Sequence, residues 1–100
     1  MVISSTISPD KKRVTIRVNG RFDFSVYREF RDAYRDLAGP TEYCVDLGGT
    51  DYMDSSALGM LMLLREHAQA SNARVVLKGP TAGARKVLTI ANFDKLFPVE

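Results

Sequence analysis

A chain of 100 residues, 45% apolar and 26% charged, can remove roughly two thirds of its unfolded surface from water, enough for one compact domain over residues 1–100. The formal charge of +2 arises from cations interleaved with anions, as in Arg28-Glu29, Arg31-Asp32 and Arg35-Asp36, which is a poor footprint for nucleic acid. No run approaches the ~18 to 20 apolar residues of a membrane span, the N-terminus lacks signal-peptide order, and the one cysteine, Cys44, excludes an intramolecular disulfide, so the expected setting is a reducing cytoplasm.

Met1 to Ser8 and Arg13 to Asn19 are rich in Val, Ile and Thr and flank the turn residues Pro9-Asp10-Lys11-Lys12, which predicts a β-hairpin. In its second strand Val14, Ile16 and Val18 alternate with Arg13, Thr15 and Arg17, giving one buried and one wet face, and Gly20 is expected to close the strand. From Ser25 to Leu37 the apolar residues Val26, Phe30, Ala33, Tyr34 and Leu37 recur by fours and threes, the period of an amphipathic helix that Gly39-Pro40 would end. Tyr43 to Leu47 reads as a central strand with Cys44 as a buried thiol, followed by the turn Gly48-Gly49. A helix is predicted from Ser55 to about Ala70 and a strand over Arg74 to Lys78. A last helix is marked by Ala84, Val87, Leu88 and Ala91, and a short strand is weighed for Leu96 to Val99.

Strands separated by single helices need crossover connections, so the later strands should be parallel and the opening hairpin antiparallel. The fold class is therefore α/β with a mixed sheet. The strand order stays open.

The stretch DYMDSSALGM, Asp51 to Met60, carries more polar residues than a helix start requires. Asp54 or Ser55 would serve as N-cap, and such a cap is typically worth about 1 kcal/mol. Within the helix, Ala57, Met60, Leu61, Leu64 and Ala68 should face the sheet. Gly59, Met62, Leu63 and Glu66 point away, so neighbouring helices or a partner must cover the apolar ones. A serine nucleophile would need an adjacent base, yet the only histidine, His67, lies roughly 18 Å down the same helix, and no G-x-S-x-G elbow or S-x-x-K spacing is present. Hydrolase chemistry is thereby disfavoured. A serine here can instead receive a phosphoryl group, because the positive end of the helix dipole tolerates the added charge.

Gly20-Arg21-Phe22-Asp23 resembles the motif G-x-(L/F)-D, and Met53-Asp54-Ser55-Ser56-Ala57-Leu58-Gly59 resembles M-D-S-(S/T)-G-L-G. Together with Val45-Asp46-Leu47, Ala84-Arg85-Lys86-Val87-Leu88 and Asn92-Phe93-Asp94-Lys95-Leu96-Phe97, these make the chain resemble the STAS domain family nearly end to end, and within it the stand-alone bacterial anti-sigma factor antagonists.

The resemblance implies helices mainly on one side of the sheet and a non-enzymatic switch protein without cofactor. It implies phosphorylation of Ser55, with Ser56 as the alternate, by a partner serine kinase that is often itself the anti-sigma factor, and removal of the group by a PP2C-type phosphatase. The unphosphorylated form would bind the anti-sigma factor and free a sigma factor. The implied partner surface comprises Asp23, Asp54, Ser55, Ser56, Leu58, Gly59 and Met62. The alternative is a STAS-type scaffold or sensory module that binds a kinase or small ligand without sigma-factor control.

Ala57 departs from the motif glycine, adding a methyl group in the first helical turn. On the residues alone, Asp23 could cap the Ser25 helix; the resemblance implies that it lies near Ser55, and both roles can coexist. Tyr52 is either loop packing or a partner contact, His67 a solvent-edge residue, and Met53, Met60 and Met62 packing residues. No cluster has metal-ligand spacing.

Overall fold

The computed structural model describes residues 2–100 and contains a four-stranded sheet in the order β1-β2-β4-β6, with a second sheet of two strands, β3-β5. The strands are β1 (Ile3–Ile7), β2 (Arg13–Val18), β3 (Gly20–Phe22), β4 (Glu42–Asp46), β5 (Thr50–Met53) and β6 (Arg74–Lys78). The helices are α1 (Tyr27–Asp32), α2 (Ser55–Ala70) and α3 (Ala82–Ile90). β1 and β2 form the antiparallel hairpin, and β2, β4 and β6 run parallel, as the crossover argument requires. Met1, included in the predicted hairpin, lies outside the described residues. None of the described helices is long and apolar enough to cross a membrane.

Alternation along the strands sorts the sheet into two unlike faces. Val14, Ile16, Val18, Tyr43, Val45, Val75 and Leu77 enter one core with Phe30 of α1, Leu61 and Leu64 of α2, and Leu88 of α3. The opposite face, among the described residues, lies outside that core. There Arg13, Glu42 and Arg74 lie in one register row, with Glu42 bridging both arginines at 3.0 and 2.9 Å, while Arg17 pairs with Asp46 at 3.3 Å. Thr15, Cys44 and Val76 form the row between them, and Cys44 is a buried free thiol.

Four expectations need correction, the first of them, at Gly20, carrying the segment before Asp54 with it. Gly20 opens a strand instead of closing one: with φ at +100° it turns the chain out of β2, and its N–H donates to the Gly49 carbonyl at 2.8 Å, which starts β3 alongside β5. The segment between Gly49 and Asp54 is accordingly a strand where a loop was expected. The helix predicted over Ser25 to Leu37 keeps regular form only from Tyr27 to Asp32, preceded by a 3₁₀ turn, Phe24–Val26. Beyond Asp32 its bonds are mixed: Ala33 N–H is shared between the Glu29 and Phe30 carbonyls, Arg35 still reaches back four residues to Arg31, and Tyr34 and Leu37 reach back only three. Tyr34 still packs in the core, so the apolar spacing was right although the helix is shorter. The short strand weighed for Leu96 to Val99 is reduced to a single parallel bridge, Leu77 to Val99.

His67 is the fourth. It is half-buried, with its ring edge-on to Tyr34 and Tyr43 at centroid distances of 5.0 and 5.8 Å. Its Nε2 lies 2.9 Å from the Leu37 carbonyl, which also accepts from the Tyr43 hydroxyl at 3.2 Å. The residue thus fastens the tail of α1 to α2.

Thr50 is the polar residue buried within the hydrophobic interior. Its hydroxyl donates to the Val18 carbonyl at 2.8 Å, and its own carbonyl accepts from the Thr81 hydroxyl at 2.7 Å. It therefore ties the two-stranded sheet to the end of β2 and to the start of α3. The substitution Thr50→Val preserves shape but removes the donor to a buried carbonyl, and should destabilise the fold by about 1–3 kcal/mol, read from the urea unfolding midpoint.

Candidate functional site

β3 and β5 are parallel with Phe22 paired to Met53, so the residues that follow, Asp23 and Asp54, leave the small sheet side by side. Both have the extended backbone of an N-cap, with φ/ψ of −141/−172° at Asp23 and −127/−172° at Asp54. Asp54 Oδ1 accepts from the N–H groups of Ser56 and Ala57 at 3.0 and 3.3 Å and from the Ser56 hydroxyl at 2.6 Å. Asp23 repeats the pattern on the Phe24–Val26 turn, accepting from the Ser25 N–H at 3.0 Å and the Ser25 hydroxyl at 2.5 Å. The two chain segments are thus variants of one local device, a strand ended by an aspartate whose carboxylate holds the serine two residues on.

The cap leaves the two serines of α2 unlike. Ser56 is half-buried with its hydroxyl held by Asp54, whereas Ser55, the first helical residue, is exposed and its hydroxyl meets no partner among the described residues. Asp54, not Ser55, is the N-cap. Ala57 points into the core and is fully buried, so its methyl group does not face an incoming partner.

Asp23 also forms an ion pair with Arg21, Nε to Oδ2 at 3.2 Å, and the Arg21 guanidinium lies over the Tyr52 ring at 3.9 Å from the centroid. Tyr52 is the register partner of Arg21 on β5, so it stands on the outer face of the small sheet under the Arg21 guanidinium. The Ser25 hydroxyl and N–H, and then Arg21, hold the Asp23 carboxyl below the usual carboxylate value.

Beside this polar edge lies an apolar groove of about 310 Å³ between the Phe24 turn, α1 and α2, lined by Phe24, Tyr27, Ser56, Gly59, Met60 and Leu63. Phe24 is 67% exposed and stacks on Tyr27 at 5.2 Å, and Leu63 is 43% exposed. A Cβ on Gly59 would meet nothing within 4 Å, so this glycine keeps the groove floor open. Leu58 and Met62 are half-buried and pack against the core, on the flank of α2 away from the groove. Of the predicted partner residues, Asp23, Asp54, Ser55, Ser56 and Gly59 are gathered at one end of the molecule, and Leu58 and Met62 stand apart from the groove. Phe24 and Tyr27 were not singled out from sequence; the available signal was a large aromatic, Phe24, outside the apolar stripe of α1. No group of His, Cys, Asp or Glu among the described residues is arranged to hold a metal ion.

A family model described as "Mlab, STAS domain" matches residues 5–98. A STAS-domain containing protein of Pseudomonas aeruginosa (strain UCBPP-PA14) is 47% identical over 100 residues, covering 99% of each chain. Among solved structures, the anti-sigma factor antagonist SpoIIAA in its unphosphorylated form is similar with a TM-score of 0.85 at 19% identity, over 98% of this chain and 87% of that one. The phosphorylated form of SpoIIAA, the Bacillus cell fate determinant, gives 0.70 at the same 19% identity, over 98% and 90%. A sulfate transporter family protein from Wolinella succinogenes gives 0.80 at 14% identity, over 94% and 79%. At such identities these structures establish a common fold.

The two caps should differ in weight, because one starts a helix of 16 residues and the other a turn of 3. Asp54→Ala is expected to cost about 1–2 kcal/mol in chemical denaturation, and Asp23→Ala distinctly less. Since the folded-state pKa of Asp23 is depressed, its contribution is present above the ordinary carboxylate pKa and is lost as pH falls through the lowered value. The acid limb of a stability profile should therefore shrink slightly in Asp23→Ala.

Proposed function

The chain belongs to the STAS domain family, and from that membership we propose that it is a non-catalytic, phosphorylation-switched binding module that acts as an anti-sigma factor antagonist. The observation that carries the reading is the unequal treatment of the two serines. Asp54 holds the Ser56 hydroxyl and the first-turn amides, while Ser55 stands exposed beside an apolar groove. Phosphate on Ser55 therefore breaks none of the cap bonds. Unphosphorylated, the module binds an anti-sigma factor that is also its serine kinase, and so frees a sigma factor; a PP2C-type phosphatase restores that form. These encounters belong to the cytoplasm.

In the phosphorylation step the Ser55 oxygen forms a bond to the γ-phosphorus of ATP as the bond to the β-phosphate oxygen breaks. ADP leaves, and the hydroxyl proton passes to a base of the kinase. The product carries about −1.5 to −2 charges at the N-terminus of α2, where the dipole favours them. A partner seated on the groove would meet that charge beside Asp54. Burial without a counter-ion costs several kcal/mol, and each 1.4 kcal/mol is tenfold in affinity.

The docking surface on this reading is the edge formed by Asp23, Asp54, Ser55 and Ser56 with the groove floor at Gly59. Leu58 and Met62 contribute at its far flank. A scaffold role without sigma-factor control is the second reading, favoured by the recurrence of the fold in a sulfate transporter family protein.

Incubation with the cognate kinase and ATP, followed by mass spectrometry, should show phosphate on the wild type and on Ser56→Ala but none on Ser55→Ala. Undiminished labelling of Ser55→Ala would overturn the site. Ser55→Asp should bind the anti-sigma partner ten- to a thousandfold more weakly than wild type in calorimetry. Capture of a kinase without any sigma-factor regulator would favour the scaffold reading.

A further inference from the structure

The outer face of the small sheet holds one cation between a carboxylate and an aromatic ring, Arg21 between Asp23 and Tyr52. Side chains alternate along β3, so Phe22 enters the core while Arg21 and Asp23 share the outer face. Tyr52 is the register partner of Arg21 on β5, and Asp54 follows the end of that strand as the N-cap of α2. Arg21 uses Nε on Asp23, and its terminal nitrogens have no hydrogen-bond partner among the described residues. Asp23 does not depend on that bond, because its other oxygen is already satisfied by the Ser25 N–H and hydroxyl. The cation is therefore held loosely, by one hydrogen bond and one ring face.

Ser55 lies three residues beyond Tyr52, the register partner of Arg21, or roughly 10 Å of chain at about 3.3 Å per residue. That span is within the joint reach of an arginine and a phosphoserine side chain. Building on the proposed phosphorylation of Ser55, we infer that Arg21 is the counter-ion of the phosphate and that it leaves Asp23 and the Tyr52 ring to take it up. A phosphate dianion offers more charge than a carboxylate, and three oxygens to which a guanidinium fork binds in pairs. The consequence reaches beyond the serine. Departure of Arg21 uncovers one face of Tyr52 and frees Asp23 Oδ2, so modification alters the partner surface at three residues.

The test uses full-length protein with phosphoserine incorporated at position 55 during translation. Phosphorus NMR titration then compares the wild-type background with Arg21→Gln and with Arg28→Gln, an exposed arginine of α1. Loss of the counter-ion should raise the second pKa of the phosphate by about half a pH unit in Arg21→Gln and leave it unchanged in Arg28→Gln. In the proton spectrum, the Arg21 δ-methylene signals, shielded by Tyr52 in the unmodified chain, should lose that shielding on phosphorylation. Equal phosphate pKa values in wild type and Arg21→Gln would overturn the inference, as would equal shifts in the two variants or shielding that persists. Because no kinase takes part, a kinase that ignores Ser55 would defeat the proposed function without touching this measurement.

Discussion

The architecture of the site depends on the parallel pairing of two very short strands, Gly20–Phe22 and Thr50–Met53. Parallel strands end at the same edge, so pairing Phe22 with Met53 obliges the next residues, Asp23 and Asp54, to emerge together. An antiparallel pair would have sent them to opposite ends. The sheet is too small to be stable alone, and it is anchored from outside by the Thr50 hydroxyl on Val18 and the Thr81 hydroxyl on Thr50. These bonds set the small sheet against the large one, and the positions of the caps, the exposed serine and the groove follow from that.

The duplicated cap explains why this edge is both polar and rigid. Each aspartate spends one oxygen on its own turn, and in each the serine two residues on supplies a hydroxyl as well as an N–H. Hydroxyls engaged in this way are poor candidates for modification, because their capture by a kinase must first break a charge-assisted bond of about 1.5–3 kcal/mol. Ser55 escapes that cost only because the cap skips the first helical residue. The sequence pair Ser55-Ser56 looks symmetrical; the helix geometry makes it asymmetric.

Long periodic elements were readable from the residues: the hairpin strand with its alternation of Val and Arg, the α2 helix with its apolar stripe, and β4 and β6 between turn residues. What escaped was short or tertiary in origin. β5, Thr-Asp-Tyr-Met, has no alternation long enough to register, and its pairing with β3 depends on Gly20 at positive φ, a conformation that leaves no periodic mark. The α1 stripe survived into turns because Tyr34 and Leu37 keep a three-residue spacing that both helix and turn satisfy. His67 looked solvent-edge because nothing in a linear reading brings Leu37 and Tyr43 onto it. Within the site, Asp54 was legible from capping chemistry, whereas Ser55 was singled out as phosphate acceptor by the family resemblance. The groove was not, since Phe24 and Tyr27 reach α2 only through the fold.

The contrast between the two ends of charge in the molecule bears on how the proposed switch operates. On the open face of the sheet the ions are paired across strands, Arg13 and Arg74 to Glu42 and Arg17 to Asp46, and such surface pairs contribute little apiece and hold no special orientation for a partner. At the cap edge polar groups border apolar surface: Ser56, whose hydroxyl Asp54 holds, lines the groove with Phe24 and Leu63, so a partner seated there must desolvate it. Apolar area supplies the attraction and the neighbouring polar edge sets its limit. On the proposed reading a phosphate added at Ser55 acts on that limit directly, and the core beneath it, closed by Ala57, Met60 and Leu61, has no reason to move. Under the proposed function, the backbone contributes to switching by staying still, and the change in binding arises in the side chains at the surface around Ser55.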